Sequence, residues 1–126
     1  MKKIKTSLAP QAIGPYSQAI TYNGLIYTSG QIPLTADGQM VEEDIEKQTH
    51  QVIKNVQAVL QAAESDLDQV IKVTLYIKDM DQFERINAVY LQYFNQVQPA
   101  RSCVEVSRLP KDVRIEMEAI AIKKEK

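Results

Sequence analysis

The chain has 126 residues, of which 44% are hydrophobic and 25% charged, as in an ordinary soluble globular protein. Its 15 Lys and Arg residues against 16 Asp and Glu residues give a net charge of −1, which argues against a nucleic-acid or anionic-membrane partner. The length predicts a single domain over residues 1–126, and the absence of a signal-peptide or membrane-spanning apolar run predicts a cytoplasmic protein.

The first element in the chain is a predicted β-hairpin. Residues 17–22 and 25–31 flank Asn23-Gly24, a dipeptide that favours the positive φ angles of a type I′ turn. Residues 2–5 form a candidate short strand in front of this hairpin. A loop that carries Pro33 and Asp37-Gly38 then separates the hairpin from the next element.

Two amphipathic helices are predicted. Residues 44–64 carry apolar residues three and four positions apart, with Asp44 as the N-cap. The second helix opens at Asp81, which we interpret as the cap of a capping box, and ends near Phe94. Each helix has one apolar face, and on the second that side carries Phe83, Ile86, Asn87, Tyr90 and Phe94.

The remaining segments predict strands. Residues 70–78 alternate, with Ile71, Val73, Leu75 and Ile77 on one face. Residues 100–107 and 113–122, joined by a loop containing Pro110, are interpreted as a second hairpin. The element order ββ-α-β-α-ββ predicts an α+β fold, with both helices packed on one face of a mixed β-sheet.

The last two strands differ on their two faces. We expect the rows Ser102, Val104, Val106 and Ile115, Met117, Ala119, Ala121 to face the helices, and Arg101, Cys103, Glu105, Glu116 and Glu118 to lie on the open face. A mixed face of this kind is either solvated or buried by other subunits. The pattern alone does not decide between these two alternatives.

Arg101 and Glu116 lie on neighbouring strands of the predicted hairpin. A guanidinium group matches a carboxylate through two parallel hydrogen bonds, and a glutamate can take a proton from an attacking water. The pair suggests a site for a small substrate with a carboxylate beside an electrophilic carbon. The same spacing also fits a cross-strand ion pair with no catalytic role.

Other chemistries have less support in the residues. Cys103 is the single cysteine, so it forms no intramolecular disulfide, and as a nucleophile it would need a base. The single histidine, His50, lies within a predicted helix and offers no metal-ligand cluster. The four glycines are not spaced like those of a phosphate-binding loop.

Several separated motifs carry a resemblance to a known family. Residues 99–106 (PARSCVEV), then Leu109-Pro110 and residues 115–117 (IEM), resemble the C-terminal signature of the RidA family, also called the YjgF family. The resemblance extends through residues 13–18 (IGPYSQ) and 28–33 (TSGQIP), and it also includes residues 49–55 and Asn87. It implies a chorismate-mutase-like domain in a homotrimer with the sheets inside and three equivalent sites between subunits.

The resemblance also implies an activity. Reactive enamine and imine intermediates such as 2-aminoacrylate and 2-iminobutanoate are hydrolysed to 2-keto acids and ammonia, without a cofactor, which protects pyridoxal-phosphate enzymes. Carried onto this chain, Arg101 would bind the substrate carboxylate and Glu116 would handle the water. The implied pocket is completed by Cys103, Tyr16, Ser29, Gly30 and Asn87. Glu118 competes with Glu116 for the second role, and physical reasoning from the residues does not separate them.

An alternative of a different class is a regulatory trimer that senses a small metabolite. Some family members are associated in this way with purine or branched-chain amino-acid metabolism, and others with translation or RNA cleavage. A carboxylate sensor would also keep Arg101 but would have no use for Glu116. Chorismate mutase activity follows from fold resemblance alone, which is a weak basis for function.

Overall fold

The computed structural model describes residues 1–125, in which six strands form one mixed sheet and two helices cover one of its faces. The strands are β1 (Lys2–Ile4), β2 (Ala19–Tyr22), β3 (Leu25–Thr28), β4 (Val70–Ile77), β5 (Ala100–Glu105) and β6 (Ile115–Ile122). The helices are α1 (Ile45–Ala62) and α2 (Phe83–Tyr93). The predicted fold class, the element order and the packing of both helices on one face of the sheet are confirmed.

The N-terminal hairpin forms as predicted. Asn23 and Gly24 have φ angles of 51° and 78°, as a type I′ turn requires. The short strand β1 adds to β2 in antiparallel fashion, so the candidate strand at the N-terminus is also confirmed. The sheet order is β1-β2-β3-β6-β4-β5.

The predicted C-terminal hairpin is wrong. β4 lies between β5 and β6, pairing in parallel with β5 and antiparallel with β6. Parallel neighbours need a crossover connection, and α2 supplies one between β4 and β5. Residues 106–114, with a 3₁₀ turn at Pro110–Asp112, then carry the chain past β4 to its other side. Arg101 and Glu116 are therefore not on neighbouring strands.

The predicted facing of β5 is also wrong. The register pairs Arg101 with Val73 and Cys103 with Leu75, and paired residues point to the same side of a sheet. Val73 and Leu75 are fully buried beneath the helices, so Arg101 and Cys103 lie on the helix side. Ser102 and Val104 are exposed on the open face. β5 is an edge strand that the helices cover only partly. The alternation of polar and apolar residues along β5 therefore does not indicate which of its sides faces the helices.

The helix caps show one success and one error. Asp44 caps α1 as predicted, accepting a hydrogen bond from the Lys47 amide at 2.9 Å. Asp81 does not cap α2; a 3₁₀ turn precedes that helix, and Asp79 accepts the Asp81 amide at 2.9 Å instead. The capping function moves two residues upstream because the extra turn begins there.

The core lies between the helices and the sheet. On β6 the predicted apolar row is buried, with Ile115 and Met117 fully inaccessible. Ile71 is the exception on β4: an irregularity between Val70 and Lys72 leaves Ile71 42% exposed and buries Val70 in its place. Neither of the helices described within residues 1–125 is long and apolar enough to cross a lipid bilayer.

Candidate active site

A cleft of ≈ 290 Å³ opens beside Glu116, and we call it the Glu116 cleft. The chain leaves β3 and pairs with β6 through Gln31 and Met117, whose backbone groups exchange hydrogen bonds of 2.7 and 3.1 Å. This pairing places the segment after β3 against Glu116. The cleft is lined by Ile13, Tyr16, Ser29, Gly30, Ile32, Pro110 and Glu116.

The Glu116 carboxylate packs over Gly30. A Cβ atom at position 30 would stand 1.9 Å from Glu116 Oε2 and 2.8 Å from its carboxyl carbon. The missing side chain of Gly30 therefore makes the space that the carboxylate occupies. The requirement is for room rather than for an unusual backbone conformation.

Two other predicted residues join this cleft. Ser29 Oγ donates to the Ser17 carbonyl at 2.5 Å, which orients the hydroxyl. The Tyr16 hydroxyl accepts a hydrogen bond from the Ile13 amide at 3.2 Å, so the ring closes back on its own loop. The structure thus brings together four of the predicted site residues, namely Tyr16, Ser29, Gly30 and Glu116.

The two glutamates of β6 have different surroundings. Glu116 lines the cleft, and burial raises the pKa of its carboxyl, helped by the charge of Glu118. Glu118 is not among the residues that line the cleft; burial raises the pKa of the Tyr76 hydroxyl, and the charges of Glu118 and Glu116 raise it further. The geometry therefore favours Glu116 over Glu118 as the group that meets a molecule in the cleft.

The Arg101 side chain lies in a second group of residues on the helix side, which we call the Arg101 cluster: Phe83, Asn87, Tyr90, Arg101 and Cys103. Arg101 Nη1 donates to Asn87 Oδ1 at 2.8 Å. The guanidinium carbon lies 4.7 Å from the ring centroid of Tyr90 and 5.5 Å from that of Phe83. At these distances the rings attract the cation.

Cys103 follows Arg101 on the same face of β5. Burial raises the pKa of its thiol, and the charge of Arg101 offsets this only in part. The thiol is therefore protonated at neutral pH and is a weak nucleophile. His50 is engaged elsewhere, with Nδ1 2.7 Å from the Tyr93 hydroxyl, so it supplies no base for this cysteine.

The Glu116 cleft and the Arg101 cluster do not meet within one chain. Arg101 is in register with Val73 and points to the helix side, whereas Glu116 is in register with Tyr76 on the open face. Two strand spacings and an offset of three residues separate their Cα atoms by about 14 Å. The alternative of a cross-strand ion pair between Arg101 and Glu116 is therefore wrong.

Sequence reasoning missed Phe83 and Tyr90 as neighbours of Arg101. The sequence predicts that both lie on one side of the second helix with Asn87, but it assigns them no role toward the arginine. The spacing i, i+4, i+7 places all three on one helical stripe, which was the available signal. This stripe indicates contacts with Arg101 only when the side of β5 that faces the helices is known.

Comparisons with known proteins agree with this architecture. The family model described as endoribonuclease L-PSP matches residues 6–123. The 2-iminobutanoate/2-iminopropanoate deaminase of Escherichia coli is 45% identical over 126 residues, covering 98% of each chain. AldR of Lactococcus lactis, named as a regulator, is 52% identical over 122 residues, covering 96% of this chain and 97% of its own.

Solved structures show the same fold. A yeast protein, YEO7, superposes with a TM-score of 0.96 at 46% identity, covering 98% of both chains. E. coli TdcF with bound serine superposes with a TM-score of 0.94 at 42% identity, covering 98% of this chain and 100% of its own. With a family model matched over nearly its whole length, this chain belongs to the RidA/YjgF family.

Proposed function

We propose that this protein hydrolyses small enamine and imine acids, such as 2-aminoacrylate and 2-iminobutanoate, to 2-keto acids and ammonia, which protects pyridoxal-phosphate enzymes. The observation that carries the proposal is the division of the site into two complementary halves. One holds a fixed guanidinium and the other a desolvated carboxylate in a cleft. The 45% identical E. coli relative named as a deaminase supports the same reaction.

The two halves come together between copies of the chain. Within one chain they point to opposite sides of the sheet, so the Arg101 cluster of one copy would complete the Glu116 cleft of its neighbour. The open face also carries large apolar groups at the surface, with Tyr22 57% and Tyr27, Val104 and Ile122 each 43% exposed. A cyclic homotrimer with its sheets inside would bury these groups and close three equivalent sites.

In the proposed reaction Arg101 binds the substrate carboxylate. Its donors form a planar fork that matches a carboxylate, and the resulting charge-assisted hydrogen bonds are stronger than neutral ones. Bound in this way, the substrate presents its C2 carbon toward the Glu116 cleft. An enamine first takes a proton at C3 and loses one from its nitrogen to become the imine, whose C2 carbon is electrophilic. The reaction therefore requires no cofactor.

Glu116 acts on the water. The water oxygen bonds to C2 while Glu116 takes a proton from it, and the imine nitrogen gains a proton, which produces a carbinolamine. The hydroxyl proton then moves through the Glu116 carboxylate to the amino nitrogen, the C2–N bond breaks, and ammonia leaves as the carbonyl of the keto acid forms. Burial raises the pKa of the Glu116 carboxyl, helped by the charge of Glu118, which makes the carboxylate a stronger base toward the water.

The direct test combines an assay with subunit mixing. The wild-type protein should accelerate the disappearance of 2-iminobutanoate generated in situ by a threonine dehydratase. Arg101→Ala and Glu116→Gln homotrimers should each retain at most a few per cent of wild-type activity. Denatured and refolded as an equal mixture, they should regain about a quarter of it, the share of sites that receive both intact residues. No recovery in correctly assembled mixed trimers would place both residues in the same copy.

Gly30→Ala is expected to lower kcat by about 10- to 100-fold without unfolding the protein. The added Cβ would displace the Glu116 carboxylate, which is the movable end of a side chain, and a misplacement of about 1 Å costs this much in rate. Turnover of 2-iminobutanoate measures the expected fall in kcat, and thermal unfolding tests whether the variant remains folded. Wild-type kcat in Gly30→Ala would contradict the placement of Glu116 at the reacting water.

Glu118→Gln is expected to shift the acid limb of the kcat/KM pH profile to lower pH. Glu116 works as a base when deprotonated, so activity rises with pH through its pKa. Burial and the charge of Glu118 both raise that pKa, and the substitution removes the second cause. The pH profile of the purified variant is the measurement. A shift to higher pH, or none, would mean that Glu118 does not act on Glu116.

A second candidate function is the binding of a small amino or keto acid for regulation. It is favoured by the 52% identity to a relative named as a regulator and by the serine bound in the TdcF structure. A sensor would bind 2-oxobutanoate or serine through Arg101 but would not accelerate imine hydrolysis. Calorimetric binding by a wild-type trimer that has no hydrolytic activity would select this candidate.

A further inference from the structure

Three residues of α2 face the Arg101 side chain at i, i+4 and i+7. Phe83, Asn87 and Tyr90 contact the guanidinium through one ring, one amide oxygen and a second ring. We propose that the Phe83 and Tyr90 rings are positioning residues for substrate binding, because with Asn87 they hold the guanidinium in one orientation. This inference rests on the proposed function, since it concerns how the carboxylate is recognised.

The contacts divide the guanidinium into held and free parts. Among residues 1–125, the Arg101 side chain donates one hydrogen bond, from Nη1 to Asn87 Oδ1, at 2.8 Å. The rings attract the cation through their faces and take none of its N–H donors. The Nε and Nη2 donors therefore remain available, and together they form one edge that matches a carboxylate bidentately.

The Tyr90 ring is itself rigidly held. It stacks on the buried Phe94 ring, with centroids 4.5 Å apart and an angle of 29° between the planes. Tyr90 is only 9% exposed, and its hydroxyl has no hydrogen-bond partner within the described residues 1–125. A hydroxyl buried in this way contributes nothing to holding Arg101, so the ring is the part of Tyr90 that acts.

The restriction of the Arg101 side chain before substrate binds should mainly lower KM. A long arginine side chain that is already ordered loses less rotamer freedom on binding a carboxylate. Removal of one ring face should therefore raise KM for 2-iminobutanoate by about 5- to 30-fold. The turnover number should change by less than about threefold, because Glu116 and its water are untouched.

The variants are Tyr90→Leu and Phe83→Leu, which remove a ring but keep an apolar side chain, together with the conservative Tyr90→Phe. Val89→Ala is the matched control, because Val89 is a buried α2 residue outside the Arg101 cluster. We expect higher KM in both Leu variants and wild-type KM in Tyr90→Phe and Val89→Ala. Phe83 is only half-buried, so Phe83→Leu remains informative if Tyr90→Leu does not fold.

Three kinetic outcomes would overturn the inference. A KM increase in Tyr90→Phe equal to that in Tyr90→Leu would assign the effect to the hydroxyl. A KM increase in Val89→Ala as large as that in the Leu variants would assign the effect to general destabilisation of α2. A drop confined to kcat in the Leu variants would also contradict a positioning role.

A readout that needs no turnover separates this inference from the proposed function. The Arg101 Nε–Hε NMR signal should be sharp and slow to exchange in the wild type and in Tyr90→Phe, and averaged in Tyr90→Leu. Addition of 2-oxobutanoate to the wild type should shift it. If hydrolysis fails but these signals behave as stated, the positioning role holds and only the reaction is wrong. A mobile Arg101 signal in the wild type would overturn the inference.

Discussion

Replacing Arg101 with Ala is expected to lower kcat/KM for 2-iminobutanoate by about 30-fold to several thousand-fold, corresponding to ~2–5 kcal/mol. The reason is the loss of a partly buried cation that is held by Asn87 Oδ1 and two aromatic rings. Without it the substrate carboxylate would enter the cleft unpaired, and the cost of removing it from water would no longer be offset.

Arg101→Lys distinguishes the shape of the cation from its charge. A lysine keeps one positive charge but lacks the planar fork, so it should recover little of the lost kcat/KM. Arg114→Ala serves as the matched control, since Arg114 pairs with Glu43 away from both halves of the site and should change activity by less than about twofold. Wild-type activity in Arg101→Lys would show that charge alone is sufficient, and light scattering should verify assembly in every variant.

Glu116→Gln is expected to lower kcat by about 10²- to 10⁴-fold while 2-oxobutanoate still binds. Glutamine fills nearly the same volume over Gly30 but cannot take a proton from water. Calorimetry on the assembled variant should give a Kd within a few-fold of the wild type. Parallel losses of binding and turnover would instead make Glu116 part of the binding surface.

The stability of Glu116→Gln gives an independent check. The folded-state pKa of Glu116 lies above its unfolded value, so its stabilising contribution is present below the unfolded pKa and is lost as pH rises through the folded pKa. Above that pH the buried, ionised carboxylate lowers the free energy of unfolding of the wild type. The neutral glutamine avoids this penalty, so Glu116→Gln should have a higher unfolding temperature than the wild type. The matched substitution Glu118→Gln should leave most of the turnover in place.

The elements of this fold could be read largely from local patterns. The Asn23-Gly24 turn, the Asp44 cap and the apolar stripe of α1 each depend on residues close together in the chain. The apolar row of β6 was also recognised, because a central strand with one covered face alternates regularly. Motif resemblance supplied the expected site residues, and four of them line the Glu116 cleft.

Errors arose where neighbours in space are distant in sequence. The expected hairpin between β5 and β6 assumed that consecutive strands pair, but the crossover through α2 placed β4 between them. On the edge strand β5, alternation of polar and apolar residues misreported the covered side. The Arg101 side chain lies against α2, where the Tyr90 ring contacts its guanidinium and Asn87 Oδ1 accepts its hydrogen bond.

Local chemistry by itself therefore determined which residues form helices and strands, which faces are apolar and which family the motifs resemble. The physical reason is that propensity, capping and periodicity act over a few residues. Tertiary structure alone decided that Glu116 rests on Gly30 apart from Glu118, and that Arg101 and Glu116 lie on opposite faces. Strand order and register set those relations, and they depend on long-range packing that no short stretch of sequence records.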